Sequence, residues 1–225
     1  MKIKENHFLS MQGKTQIRRS DGKIYTIRNN RDRFFFPDEW MVFYDKLKPK
    51  QKITFNTLIN TGARINEIRN IKVADIDFGR GNIVLRVTKR VIDRPKKGKV
   101  GIRKIRVLTV STKFIKFLRG VIKKYNLKEE DYIPILSTPA ANIAMKKTLQ
   151  RIQIKDWYMF SIHNIRKTHG NWLKAFGIDG AEICLRLGHD YNTFVKSYGS
   201  PDIFSFKDMR DMKIILGDVY EKGRR

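Results

Sequence analysis

The stretch His163 to Tyr198, HNIRKTHGNWLKAFGIDGAEICLRLGHDYNTFVKSY, decides how the rest of the chain is read. It holds His163, Arg166, His169, His189 and Tyr198, and with them three of the four histidines of the chain. An arginine three positions after a histidine shares its helical face. A histidine in the break LGHD precedes a tyrosine, so an acid–base group can come near a phenol. Such a set suits chemistry on a phosphate. The same residues also fit a plainer reading. GIDGAEICLRLGHDYNTFVKSYG resembles a helix-turn-helix, with Ala181, Cys184 and Leu185 as the apolar face of one helix and a turn at Gly188. His163 and His189 are then polar or capping residues, and Tyr198 is a half-buried aromatic. The sequence upstream has to choose between the two.

Charge narrows the partners first. The 225 residues carry 48 Lys and Arg against 22 Asp and Glu, a formal net charge of +26. The basic residues recur in every segment, which points to a polyanion and above all to nucleic acid, because Lys and Arg displace counterions from phosphates. No apolar run approaches the roughly 20 residues needed to span a bilayer, and MKIKENHFLSMQGK lacks a signal-peptide core. A cytoplasmic, DNA-associated protein is expected. The single Cys184 excludes an intramolecular disulfide and a cysteine-based zinc site. Its helical spacing from Ala181 marks it as a core residue.

Residues 1–33 are expected to form a basic N-terminal arm, a short hairpin or extended segment around Asp21-Gly22. FFFPDEWMVFYDKL then announces a helix, with Pro37 early, Asp38 and Glu39 in the positive first turn, and Trp40, Phe43, Tyr44 and Leu47 on one face. A helix from about Lys52 to Asn60 ends at Thr61-Gly62, and another follows with Ile65, Ile68 and Ile71 inward. Arg64 opens that helix, where a guanidinium beside free backbone N–H groups is matched to phosphate. The alternative is a surface arginine paired with Glu67 or Glu39. Three strands are expected at about Ala74 to Phe78, Asn82 to Val91 and Arg103 to Val110. The last two flank IDRPKKGKVGI, whose Lys96, Lys97 and Lys99 are either a solvated charge run or side chains that swing into a site when DNA binds. Thr112 caps a helix reaching about Tyr125. A helix from about Ala140 to Ile152 directs Lys146, Lys147 and Arg151 outward. The last helix places Phe206, Met209, Met212, Ile215 and Leu216 on one face, either closing this core or docking on a neighbouring subunit.

Taken in order, TGARINEIRNI, the basic loop before RKIRVLTV, HNIRKTHG, LGHD and Tyr198 resemble the tyrosine recombinase, or phage integrase, family over roughly residues 34 to 200. That family carries an arginine in a TGxRxxE turn, a lysine on a hairpin, HxxR, and LGH followed by a tyrosine. The resemblance implies a mainly helical α+β catalytic domain at residues 34–225, with a small three-stranded antiparallel sheet and a C-terminal helix. It implies Arg64, Lys99, His163, Arg166, His189 and Tyr198 as catalytic residues, with Lys97 the alternative lysine and Glu67 holding its neighbours in place. Lys96, Lys97 and Arg151 are the candidate DNA contacts.

The chemistry agrees with the resemblance. Arg64 and Arg166 offer planar, permanently charged clamps for the non-bridging oxygens. His163 and His189 can hydrogen-bond or move protons near neutral pH. A phenol of pKa about 10 needs its proton accepted, and neighbouring cations favour the phenolate. The resemblance then implies attack by Tyr198 on the scissile phosphate, a 3′-phosphotyrosine, and a free 5′-hydroxyl protonated by the loop lysine. Neither ATP nor a metal is required, since the covalent link keeps the phosphoester energy. A tetramer on two DNA sites, self-associating through the C-terminal helix, is the implied working form.

One departure from the pattern stands out. Most relatives place a helical DNA-clamping domain ahead of the catalytic one, and here the short arm stands in its place. A catalytic fragment, a minimal enzyme and an arm that clamps are three open readings. Gripping DNA from one side is expected to make site recognition weaker and more salt-sensitive than in a two-domain relative. Integration for a mobile element is the leading function. A Xer-like dimer resolvase, and a non-catalytic helix-turn-helix-like DNA-binding protein, are the alternatives.

Overall fold

The computed structural model describes residues 8–11, 14–19, 21–27, 33–86, 105–188, 190–197 and 203–220. The elements are β1 (Phe8–Met11), β2 (Lys14–Arg18), β3 (Ile24–Ile27), α1 (Pro37–Asp45), α2 (Pro49–Thr61), α3 (Ile65–Ile68), β4 (Ile76–Asp77), β5 (Asn82–Arg86), β6 (Ile105–Thr109), α4 (Thr112–Tyr125), α5 (Thr138–Arg151), α6 (Ile162–Ala175), α7 (Gly180–Leu187), α8 (Tyr191–Ser197) and α9 (Phe206–Leu216). The α+β, mainly helical class read from the sequence holds. Among the described residues no helix is long and apolar enough to cross a membrane.

Polar side chains cap α4, α5, α7 and α9. Ser111, not Thr112, caps α4, its hydroxyl accepting from the Phe114 N–H at 3.2 Å. Ser137 does the same for α5 through the Ala140 N–H at 3.4 Å, so that helix opens two residues earlier than expected. Asp179 takes the Ala181 N–H at 2.8 Å and starts α7. Each cap satisfies a backbone donor that the first turn leaves without an intrahelical partner.

Among the described residues there are two three-stranded antiparallel sheets, ordered β1-β2-β3 and β4-β5-β6. The second is the sheet expected from the sequence, with Ile76 opposite Ile83 and Ile83 opposite Leu108. Its first strand is shorter than expected: Val73–Asp75 form a 3-10 turn before it, and after it the Asp77 side chain accepts from Gly79 and Arg80 N–H groups at 3.0 and 2.9 Å. The first sheet was legible only as a hairpin around Asp21-Gly22. It sends Ile17 and Ile27 into the one core that the helices build.

That core is aromatic where α1, α2 and α6 meet. Phe35 lies 4.5 Å from Phe160, Phe43 lies 5.0 Å from Phe55, and Trp40 meets Trp172 edge-on. Arg33 is fully buried against it. Its guanidinium donates to Asp156 Oδ2 at 2.7 Å and to both carboxylate oxygens of Glu39, and these two carboxylates raise its pKa against the opposing effect of burial. The Arg33 carbonyl accepts from Asn164 Nδ2 at 2.6 Å. The start of α6 is thereby fixed to the start of α1.

Two apolar faces differ from the sequence reading. On α7 the buried residues are Ile183, Cys184 and Leu187, whereas Leu185 is 77% exposed and Ala181 is also exposed. A helix this short offers more than one apolar stripe, and packing on α6 selects between them. On α9, Met212 and Leu216 are buried and Met209 and Ile215 pack on the core, but Phe206 is 95% exposed at the first position. The helix lies on α1 of its own chain. It is clasped at one end by Arg19, which bonds Asp208 at 3.0 Å and Asp38 at 3.1 Å. At the other end Asp218 accepts from the Thr112 N–H and hydroxyl at 2.8 and 2.7 Å.

Gly62 ends α2 in the left-handed region with φ of 60°. A Cβ there would lie 2.4 Å from His169 Cδ2 and 2.7 Å from Leu187 Cδ2. Gly62→Ala is therefore expected to lower stability by about 3 kcal/mol or more, from backbone strain and overpacking together. Urea unfolding measures it, and a midpoint unchanged from wild type would show that α6 and α7 can retreat freely.

Candidate active site

Arg166 lies one helical turn after His163 on α6 and is 2% exposed. Its Nη1 donates to the Gly62 carbonyl at 2.8 Å and its Nη2 to the Leu187 carbonyl. Both acceptors sit at helix C-termini, of α2 and α7, where the helix dipole presents negative charge to a cation. One guanidinium thus joins the turn that carries Arg64 to the turn that precedes His189. A fork can satisfy two carbonyls in different directions, which a single ammonium cannot do as well.

Arg64 stands at the N-terminus of α3, and its side chain is 40% exposed. The Arg64 N–H itself is taken by Glu67 Oε2 at 2.8 Å, and α3 is four residues long. Glu67 is buried, and its carboxylate also accepts from Arg64 Nη1 at 3.0 Å and from Arg106 Nη2 at 2.6 Å. Arg64 pairs with Glu67 and not with Glu39, which belongs to Arg33.

His163 keeps an exposed edge on the first turn of α6. Partial burial of its ring, together with the charges of Arg166, Arg64 and Lys167, holds its pKa below the usual 6.5. Three candidate residues are therefore close enough to feel one another. A histidine in that setting is neutral at neutral pH and able to accept a proton.

His169, one helical turn beyond Arg166, has a different job. It is fully buried; its Nδ1–H donates to the Ile59 carbonyl at 2.7 Å, and Nε2 accepts from Arg186 Nε at 3.4 Å. Burial and the Arg186 and Arg166 charges push its pKa down to about 3. The unfolded chain, with a histidine near 6.5, binds a proton that the folded chain refuses. Stability is thus expected to fall as pH drops from about 6.5 toward 3, by up to about 1.4 kcal/mol per pH unit from this group. Denaturant midpoints at several pH values, wild type against His169→Asn, isolate the contribution. Parallel curves for the two proteins would refute it.

Arg151 ends α5, exposed, with Nη2 donating to the Lys46 carbonyl. Cys184 is buried, and burial followed by Asp190 and Asp179 raises its pKa, as befits a core thiol. Lys96, Lys97, Lys99, His189 and Tyr198 lie outside the described residues. The structure thus brings together Arg64, Glu67, His163 and Arg166, and leaves the loop lysines, His189 and the tyrosine to the sequence.

Two arginines that the sequence reading passed over, Arg106 and Arg186, belong to the same neighbourhood. The available signal was alternation: Leu108 and Val110 are core positions on β6 and its extension, so Arg106 shares their face. A cavity of about 430 Å³ lined by Trp40, Tyr44, Asn60 and Phe117, among others, contains none of the site residues. Burial pushes the Tyr44 phenol up to about 12, so it stays protonated.

The pattern described as the phage integrase family matches residues 37–202, a span that includes every candidate catalytic residue. Among solved structures the fold is similar to the XerA recombinase, at 18% identity and a TM-score of 0.60, over 86% of this chain and 65% of that one. It is similar to the Tn1549 transposon integrase in complex with transposon right-end DNA, at 16% identity and 0.58, over 82% and 66%. The XerH site-specific recombinase bound to difH gives 14% identity and 0.53, over 79% and 55%. The chain spans less than two thirds of the length of these structures. Among curated proteins nothing matches the sequence. Identities this low speak for the fold; the family pattern, matched from α1 to beyond α8, speaks for descent, and the chain belongs to the phage integrase family of tyrosine recombinases.

Proposed function

We propose that the protein is a site-specific DNA recombinase of the integrase kind, breaking and rejoining strands through a 3′-phosphotyrosine at Tyr198. Arg64 and Arg166 neutralise the non-bridging oxygens of the scissile phosphate as charge accumulates on them. His163, held neutral, accepts or relays the phenolic proton, and His189 adds a hydrogen bond. Lys99, with Lys97 as the alternative, delivers a proton to the departing 5′-oxygen. Lys96, Lys97 and Arg151 hold the DNA backbone. The balance closes without ATP or metal, because a phosphotyrosine bond forms as the phosphodiester bond breaks, and the return attack by the 5′-hydroxyl reverses it.

The observation that carries this reading is the Arg166 bridge between Gly62 and Leu187. It gathers at one place the turn with Arg64, the helix with His163, and the helix that runs into LGHD. In this reading residues 34–225 carry the chemistry, and residues 1–33 form the arm, anchored by Ile17 and Ile27. The working form is a tetramer on two DNA sites, and the exposed Phe206 at the start of α9 supports a contact with a neighbouring subunit through that helix.

The test is a denaturing gel of the protein incubated in EDTA with nicked duplexes drawn from the DNA flanking its own gene. A nick lets the short cleaved piece diffuse away and traps the adduct. A protein–DNA adduct at the 3′ end is expected. Tight binding with no adduct would mark a DNA-binding protein instead.

A further inference from the structure

We propose that Arg106 is a positioning residue of the recombinase site, holding the Arg64 turn, strand β6 and the end of α7 in one register. The inference rests on the recombinase reading and deepens it. Arg106 lies on the inward face of β6, opposite Leu85, with its side chain 11% exposed. Nη2 donates to Glu67 Oε2 at 2.6 Å, and the same carboxylate holds both the N–H and the guanidinium of Arg64. Nη1 donates to the Arg186 carbonyl at 3.0 Å.

Arg186 returns the contact. Its Nη2 donates to the Thr109 carbonyl at 2.6 Å, while its Nε meets His169. Each arginine therefore uses its side chain to bind main chain of the other's element, and β6 and α7 are stitched twice. Gly188 leaves the room this needs: a Cβ there would lie 2.6 Å from Arg106 Nη1, and its φ of 63° ends α7 in the left-handed region. Gly188 is next in sequence to His189, and β6 follows the basic loop directly. Moving Arg106 moves the elements that carry three parts of the chemistry.

A merely structural account of Arg106 is weaker. A buried, core-facing position on a strand is filled most simply by an apolar side chain, and replacing buried ion pairs by apolar groups is often neutral for stability. A guanidinium here supplies direction, which an apolar side chain lacks.

The test uses the full chain on the nicked duplex, reading single-turnover cleavage and DNA affinity separately. Arg106→Met is expected to bind DNA within about 3-fold of wild type and to cleave roughly 30- to 100-fold more slowly, as a small misplacement of charged groups would cause. Arg106→Lys, which keeps the charge and reaches one partner, is expected to recover part of the rate. Glu67→Gln weakens the same link from the other side, together with the pairing of Glu67 to Arg64, and reads it even if Arg106→Met does not fold. In the double variant the combined loss is expected to fall short of the product of the two, because the Arg106–Glu67 link is common to both. Cleavage within about 3-fold of wild type in Arg106→Met, a parallel loss of affinity and rate, or multiplying losses in the double variant would each overturn the proposal. A wild type that binds and never forms an adduct would overturn the recombinase reading and this inference with it.

Discussion

Tyr198→Phe is expected to abolish covalent capture of nicked DNA while leaving affinity within about 2-fold of wild type, since only a hydroxyl is lost from a chain whose grip comes from its many cations. Losing the only nucleophile typically costs about 10⁴-fold or more in rate. Tyr191 is the necessary control. It is the other phenol of the same stretch, exposed at the first position of α8. Tyr191→Phe is expected to form adduct normally. Were the adduct to survive Tyr198→Phe and disappear in Tyr191→Phe, the nucleophile would be misassigned and the LGHD-to-tyrosine spacing misread.

Arg166→Lys should separate charge from shape. The charge survives, but one ammonium cannot serve the Gly62 and Leu187 carbonyls and a phosphate together. Cleavage is expected to fall about 10³-fold, the order associated with losing a directed donor at a developing anion. Stability is expected to fall by about 2–4 kcal/mol, because at least one of the two buried carbonyls loses its donor. Arg64→Lys makes the contrast. Its side chain is 40% exposed, so a comparable catalytic loss should come with less than about 1 kcal/mol of destabilisation. Single-turnover cleavage and urea unfolding of both variants measure this. Wild-type cleavage by Arg166→Lys would remove Arg166 from the catalytic set.

Much of this architecture could be read from residues alone, for reasons that also mark where reading stops. Trp40, Phe43, Leu58, Phe114 and Leu118 recur at helical spacing beside clear caps and breakers, and all are buried. Arg64, Glu67, His163 and Arg166 were picked out through the order of motifs that resembles the family, and the fold brings those four together. Hidden from the sequence were choices made by tertiary contact. Ser111 and Thr112 are equal as caps on paper, and α7 carries two possible apolar stripes. Leu185 and Phe206 look like core residues until the neighbouring elements are in place. Arg33, Arg106 and Arg186 look like surface charge in a chain this basic. Each is buried or nearly so because a distant carboxylate or carbonyl meets it. Abundance of cations concealed the few that build the interior.

The clasp between Arg19 and Asp208 also has a bearing on synthesis. The two residues are 189 positions apart. At about 5–20 residues per second a ribosome needs about 10–40 s to supply the second after the first. Throughout that interval α1 has made its contacts with neighbours in sequence, while the face destined for α9 stays open. Closure therefore waits for α9 to leave the exit tunnel. A message truncated before Asp208 would yield a chain with Arg19 short of a carboxylate and α1 uncovered, a substrate for chaperones and proteases.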